Sequence, residues 1–408
     1  MRADYGQTHC HGLIYLTYYI NCSAANGEGL ISSFCRSPVL LYLTYALFAH
    51  TMTHEAEDFQ LDVRNIAAAV SELGVGGNSP FLDGEFSGGE CRIFKLSFAD
   101  HASVAVRVRH ASHGTNHENH IAMVEDEVET LRQLQGNGFV WAPKCLGACL
   151  TFDNPIKSPF SVLTWIDGSP LRWDEDLPPR PLRDEVLGKL ASIQLSLMTC
   201  TVITRPITAR AYYERRLRNR QKRVLNGELP GLSEQDCLDQ QAFLDDVLGQ
   251  DGDSTAFAMA HGDLKPSNII VDEQCNIKGI IDWGFAEMVP VATAALFPTL
   301  LWPDESARRA PSQATLRDRQ TYIDSYSSQT VLAAFAMRRW QGAEDVDFRI
   351  LYLTSISSKG VHKAMAHIGW VLSYCTSAGD AEAGNALGIE REIKGHGCTG
   401  CSSTKTLG

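Results

Sequence analysis

His261-Gly262-Asp263-Leu264-Lys265-Pro266-Ser267-Asn268, continued by Ile280-Ile281-Asp282-Trp283-Gly284, is the stretch on which the reading of this chain turns. It sets an Asp, an Asn five positions on, and a second Asp nineteen positions after the first. Phosphoryl transfer asks a protein for an in-line nucleophile and for positive charge on the transferring oxygens. A carboxylate such as Asp263 can accept a hydroxyl proton and aim the oxygen. Magnesium is a hard cation that prefers oxygen ligands, so the amide of Asn268 and the carboxylate of Asp282 suit it. The residues between them explain the spacing. Ile269-Ile270-Val271-Asp272 reads as a short apolar strand, Glu273-Gln274-Cys275-Asn276 as a polar turn, and 277–281 as a returning strand. A hairpin of that length brings Asp282 back beside Asn268, and Pro266 stiffens the loop between base and ligand. A lone His-x-Asp carries little weight; the whole pattern is a far longer coincidence.

HGDLKPSNIIVD resembles the catalytic loop of the aminoglycoside phosphotransferase (APH) and choline kinase-like family, and IIDWGFAE resembles its metal-binding segment. In that segment Trp283 stands where protein kinases carry Phe. The region 295–305 is similar to a fungal-type branch of the family, and no catalytic role is carried onto it. The resemblance implies an α+β, two-lobed protein-kinase-like fold, with an antiparallel N-lobe sheet plus a helix and a mainly helical C-lobe. It also implies ATP and Mg2+, a hydroxyl-bearing small molecule as acceptor, and Asp263 as catalytic base with Asn268 and Asp282 on the metal. Gly262 replaces the Arg of the protein-kinase His-Arg-Asp, which argues against control by a phosphorylated activation loop. No Ala-Pro-Glu follows Asp282. Lys265 is a departure toward Ser/Thr protein kinases.

The upstream half agrees more loosely. Residues 102–108 alternate like a strand, and Arg107 is similar to the ATP-binding cation that most kinases supply as Lys. A guanidinium is planar and forks toward two oxygens; a surface cation on a strand is the plain reading. Residues 121–134 place Val124, Val128, Leu131 and Leu134 at helical spacing. Alignment to the family pattern selects Glu127 as partner of Arg107, whereas Glu125, Glu127 and Glu129 would otherwise be a wet face. The run 83–90 contributes Gly84, Ser87 and Gly88 as a nucleotide-covering turn; an ordinary hairpin turn explains the same residues. Residues 160–168 resemble the family hinge, with Thr164, Trp165 and Ile166 lining the adenine slot, or form an ordinary core strand.

The expected layout is an N-terminal extension over 1–60, a nucleotide-binding lobe over 61–165, a catalytic and substrate lobe over 166–375 and a disordered tail over 376–408. At 408 residues the chain is long enough for two lobes, and its 44% hydrophobic and 21% charged residues suit a soluble globular protein. A net charge of −12 disfavours nucleic acid as a partner. An acidic cleft would suit a cationic acceptor. Apolar runs at 13–20 and 39–49 are too short to span a bilayer, and only Arg2 precedes the first; an interfacial helix is the sharper alternative to a divergent extension. The twelve cysteines are scattered, and Cys398-Thr399-Gly400-Cys401 lacks a second pair for zinc, so reduced thiols in a cytoplasmic compartment are expected.

Helices are expected over 183–199, 212–225, 316–339 and 348–372. The basic run 215–223 reads as a solvated helix face, and Asp324, Glu344 and Asp347 are candidates for the substrate pocket. His110, His113, His117 and His120 read as an exposed loop rather than a metal patch. His261 buttresses the loop rather than acting as base. The alternatives are an inactive kinase-fold module that binds nucleotide or protein, kept open by Arg107 and the weak glycine turn, and a protein kinase, opposed by Gly262. Nothing in the chain selects the acceptor.

Overall fold

Alternation decides the N-terminal part of the molecule, a computed structural model that describes residues 62–110 and 116–372. The extension 1–60, the tail from 376 with Cys398 and Cys401, and His113 lie outside the described residues. Helix α1 (Val63–Glu72), capped by Asp62, precedes strands β1 (Phe81–Ser87), β2 (Cys91–Ser97) and β3 (Val104–Arg109). Helix α2 (His117–Gly136) and strands β4 (Cys145–Cys149) and β5 (Phe160–Thr164) complete an antiparallel sheet in the order β1-β2-β3-β5-β4. Val104, Val106 and Val108 point to one face of the sheet and pack with Ile66, Ala69 and Val70 of α1. The intervening Arg107 and Arg109 face the other way, toward a cleft.

Helix α2 begins earlier than its apolar periodicity indicates. Asn116 accepts the Asn119 N–H at 2.8 Å and starts the helix there, so His117 and His120 are helical, not part of a loop. His117 stacks on Phe152 at 4.0 Å between ring centroids, and His120 is buried against the same ring. A neutral imidazole can occupy an apolar site that a polar letter conceals. Leu131 and Leu134 join the core of the second lobe.

That lobe holds β6 (Ser169–Pro170), α3 (Leu182–Thr201), β7 (Ile203–Thr204), α4 (Ala209–Leu225), α5 (Glu234–Ala242) and α6 (Leu244–Leu248). It continues with β8 (Ala256–Ala260), β9 (Ile269–Val271), β10 (Ile277–Ile280), β11 (Glu287–Pro290) and α7 (Val291–Ala294). Helices α8 (Gln313–Asp324), α9 (Leu332–Gln341), α10 (Val346–Ser355) and α11 (Lys359–His367) close it. The two long helices expected over 316–339 and 348–372 are therefore four. The polar run 325–329 breaks the first, and Ser358 caps α11 by accepting the Val361 N–H, breaking the second. Among the described residues no helix is long and apolar enough to cross a membrane.

The basic run on α4 is not one solvated face. Arg220 is buried and donates to His362 Nδ1 at 3.1 Å and to the Ile356 and Ser358 carbonyls. It meets the Ile356 carbonyl just past the end of α10 and shares the Ser358 carbonyl with the His362 N–H in the first turn of α11. Burial first, then the Arg220 charge, push the His362 imidazole down to about 3. Burial also lowers His120 and His261. These rings stay neutral in the fold where the unfolded chain, with an ordinary value near 6.5, takes up protons. Their contribution is therefore absent above about pH 7 and turns destabilising as pH falls through 6.5. Unfolding free energy should drop between pH 7.5 and 5.5. His362→Gln should reduce that drop by about 1.4 kcal/mol over the whole interval, in urea titrations at both pH values; an unchanged drop would exclude His362 as a source.

Candidate active site

The loop between β8 and β9 and the turn after β10 meet beneath the sheet. The β9–β10 hairpin is antiparallel, and the Ile281 N–H donates to the Asn268 carbonyl at 2.9 Å, which sets Asp282 next to Asn268. Asn268 Nδ2 donates to the Asp263 carbonyl at 2.8 Å and approaches its Oδ2 at 3.3 Å. The amide nitrogen is spent on the loop, leaving Oδ1 as the atom suited to a cation. Lys265 Nζ lies 2.6 Å from Asp263 Oδ2.

His261 is buried, its Nε2 3.0 Å from the Ile281 carbonyl, and the Asp263 N–H approaches Nδ1 at 3.3 Å. Both contacts fit the neutral ring protonated on Nε2, and burial holds the imidazole below its ordinary range. The ring packs on Trp283, whose Nε1 donates to the Ile280 carbonyl at 2.8 Å. His261 thus ties the base loop to the Asp282 turn. Gly262 permits this closeness. Its φ is +82°, and a Cβ placed there would stand 2.2 Å from the Phe285 carbonyl oxygen. Asp282 itself takes the left-handed conformation at φ 66°, strain that aims its side chain at the cleft.

From above, Arg107 forks between two carboxylates. Its Nε is 3.1 Å from Glu127 Oε2 and its Nη2 is 2.6 Å from Asp282 Oδ1. Burial opposes the charge, but Glu127 first, then Cys91 and Asp282, outweigh it and hold the guanidinium above its ordinary range. Among the acidic residues of α2, Glu127 is the buried one, while Glu125 and Glu129 are exposed. A buried pair of this kind is retained as a unit, since either partner alone would leave an uncompensated charge.

These groups face a cleft of about 2050 Å3. Arg107, Asp263, Asn268 and Asp282 line it, as do Ser87 and Gly88 at the tip of the β1–β2 hairpin. Gly84, Thr164, Trp165 and Ile166 are not among the lining residues. Gly84 follows a register shift in β1, opposite Lys95, where a Cβ would press on the Phe86 ring at 3.0 Å. The Thr164 N–H donates to the Lys144 carbonyl and that of Trp165 to the Ser103 carbonyl, while the Trp165 ring stacks on Phe86. Trp165 is therefore tied into the sheet on both counts.

Glu287, the last residue of the IIDWGFAE segment, and α4 residues outside any motif build the opposite wall. Tyr212 OH donates to Glu287 Oε1 at 3.1 Å, and Arg216 Nη1 reaches both Glu287 oxygens at 3.0 Å. Glu287 pairs with Ala260 in the β11–β8 ladder, which puts it beside the base loop. Only a three-dimensional register places it there, although it follows Asp282 by five positions. The wall is of mixed charge rather than acidic: Arg216, Lys222 and Arg223 of α4 and Arg308 and Arg309 face the cleft with Glu228, Glu287, Asp304 and Glu305. A chain-wide excess of acids does not carry into this surface. Asp324, Glu344 and Asp347 are not in it; Asp347 is buried on Arg319 at 2.7 Å, and Asp324 accepts from Gln320.

Residues 101–308 match the model of the APH, or phosphotransferase enzyme, family. No curated protein sequence matches the chain significantly. Among solved structures, the streptomycin-ATP ternary complex of APH(2")-IIa is similar at 12% identity and a TM-score of 0.49, over 78% of this chain and 98% of that one. Macrolide 2'-phosphotransferase type I is similar at 16% identity and 0.43, over 76% and 97%. A macrolide 2'-phosphotransferase from Brachybacterium faecium is similar at 16% identity and 0.40, over 75% and 97%.

Proposed function

The chain belongs to the phosphotransferase enzyme family, and from that premise we propose that it moves the terminal phosphoryl group of ATP onto a hydroxyl of a small molecule. The observation that carries this reading is the convergence of Asp263, Asn268 and Asp282 at the floor of one cleft, under the fork of Arg107. In the reaction the acceptor oxygen attacks phosphorus, the bond to the leaving ADP oxygen breaks, and the hydroxyl proton passes to the Asp263 carboxylate. Arg107, held by Glu127, meets the phosphates; Ser87 and Gly88 close over them. Thr164, Trp165 and Ile166 do not line this cleft, and the Thr164 and Trp165 N–H groups already have partners, so these residues are given no part in holding the adenine.

Magnesium would be held by Asn268 Oδ1 and Asp282. Two protein oxygens are too few for a closed cage and suit an ion that keeps phosphate oxygens and water as its other ligands. When bound, it supplies positive charge to the phosphate oxygens.

Magnesium-dependent ADP release, screened over a library of hydroxyl metabolites, tests the proposal. At least one acceptor should raise release well above the rate in water alone. ATP binding without turnover on any acceptor would instead favour a kinase-fold binding module. Arg107→Lys offers a finer check. An ammonium can meet Glu127 or Asp282 but lacks the fork that spans both. KM for ATP should rise about tenfold, one charge-assisted contact, with a smaller change in kcat; an unaltered KM would mean the fork has no part in nucleotide binding.

A further inference from the structure

Arg109 stands two residues beyond Arg107 on β3, so strand alternation turns both guanidiniums to the cleft. The two converge on one point. A Cβ built on Gly284 would lie 3.8 Å from Arg107 Nη2, 3.9 Å from Glu127 Oε2 and 4.0 Å from Arg109 Nη1. Arg109 Nη2 is meanwhile 2.5 Å from Glu90 Oε2, with side chains 10% and 24% exposed.

Glu90 belongs to the turn between β1 and β2 and lines the same cleft. That turn is fastened to the end of β3: the His110 N–H donates to the Glu90 carbonyl at 2.8 Å, and His110 Nε2 is 3.2 Å from the Gly88 carbonyl. The Gly88 N–H is itself spent on the Cys91 carbonyl at 2.9 Å. The glycine turn therefore offers an arriving anion fewer backbone donors than its composition suggests. A carboxylate at the turn would also repel a polyphosphate, unless the cation beside it turns to the phosphates instead.

We propose that Arg109 is a second phosphate-binding cation of the nucleotide site, and that Glu90 competes with the nucleotide for it. The inference rests on the nucleotide-binding reading given above. A polyphosphate carries more charge than a carboxylate and accepts the same guanidinium fork, so it wins Arg109. Glu90 then acts as a counterweight that weakens every phosphate-bearing ligand and bears hardest on short phosphate chains, which compete less well for Arg109.

Calorimetric titration of ATP and of adenosine into wild type, Arg109→Gln and Glu90→Gln, with magnesium and without acceptor, tests this directly. Arg109→Gln should weaken ATP at least tenfold and leave adenosine within about twofold. Glu90→Gln should tighten ATP several-fold, because the competitor is gone. A clasp that merely shapes the hairpin predicts otherwise: both substitutions would then weaken ATP together, or adenosine would suffer as much as ATP, and either result overturns the proposal. If ATP binds wild type and both variants alike, the proposal fails while the nucleotide site stands. If wild type binds no ATP, the proposed function fails first.

Discussion

Asp263→Asn is expected to lower kcat by about 10^2 to 10^4-fold, the range a positioned general base supplies. The change is nearly isosteric, so the loop should persist. The Asp263 carbonyl would still accept from Asn268 Nδ2, and the Asp263 N–H would still approach His261. What disappears is the charge that takes the proton and that pairs with Lys265 at 2.6 Å. ATP affinity should therefore change little, while the single-turnover rate at saturating acceptor falls by the full factor. The Lys265 partner gives the experiment an internal control. If loss of the ion pair rather than of the base were responsible, Lys265→Met would reproduce the loss. It is expected to cost far less. A variant that keeps its rate within tenfold of wild type would remove Asp263 from the role of base.

Gly262→Arg, the residue found in the His-Arg-Asp of protein kinases, should be severely destabilising here. Left-handed backbone costs a side-chain-bearing residue about 1–2 kcal/mol. A Cβ 2.2 Å from the Phe285 carbonyl oxygen must in addition push backbone against backbone, since no flexible side chain lies there to yield. Together these come to about 3–5 kcal/mol, a fall in Tm of roughly 5 °C for a chain of this size. Gly262→Ala should show most of the same loss. Residual folded protein should be slow as well, because the clash opens the gap that His261 bridges to Ile281, and about 1 Å of misplacement costs on the order of 10^2-fold. Calorimetry and kcat on the same samples check both parts. A Gly262→Ala variant within 1 °C of wild type would show that the loop is not held as tightly as its geometry indicates.

Gly262 also illustrates how unevenly the site is legible in the chain. Its departure from the protein-kinase residue is plain in the letters. The cause, a carbonyl twenty-three positions away, is a matter of contact. The Asp263, Asn268 and Asp282 spacing carries its own hairpin, so local rules suffice to assemble it: alternation makes the strands, a polar run makes the turn, and chain length does the rest. Arg107 and Glu127 sit on different elements, and without the family pattern Glu127 is one of several acids on a helix. Burial then distinguishes it. Arg109 could have been noticed by its spacing of two from Arg107. Glu90 could not, since a turn residue gives no sign of which strand it will lean on.

Where periodicity misled, charge or polarity hid a buried group. His120 and Arg220 carry polar letters yet occupy enclosed sites, one against Phe152 and one on the carbonyls of Ile356 and Ser358. The helix breaks at 325–331 and at Ser358 leave no mark in the periodicity, because apolar positions keep roughly helical phase across a short interruption.

By itself the sequence determined the class of fold, the hairpin that assembles base and ligands, and the family to which the chain belongs, because those depend on residue types at short, fixed separations. Tertiary structure alone decided which acid grips Arg107, that Glu287 and Arg216 wall the cleft, and that this wall is of mixed charge in an acidic chain. Such choices depend on distances between elements far apart in the chain. They are settled by which charges can be buried together without leaving one uncompensated.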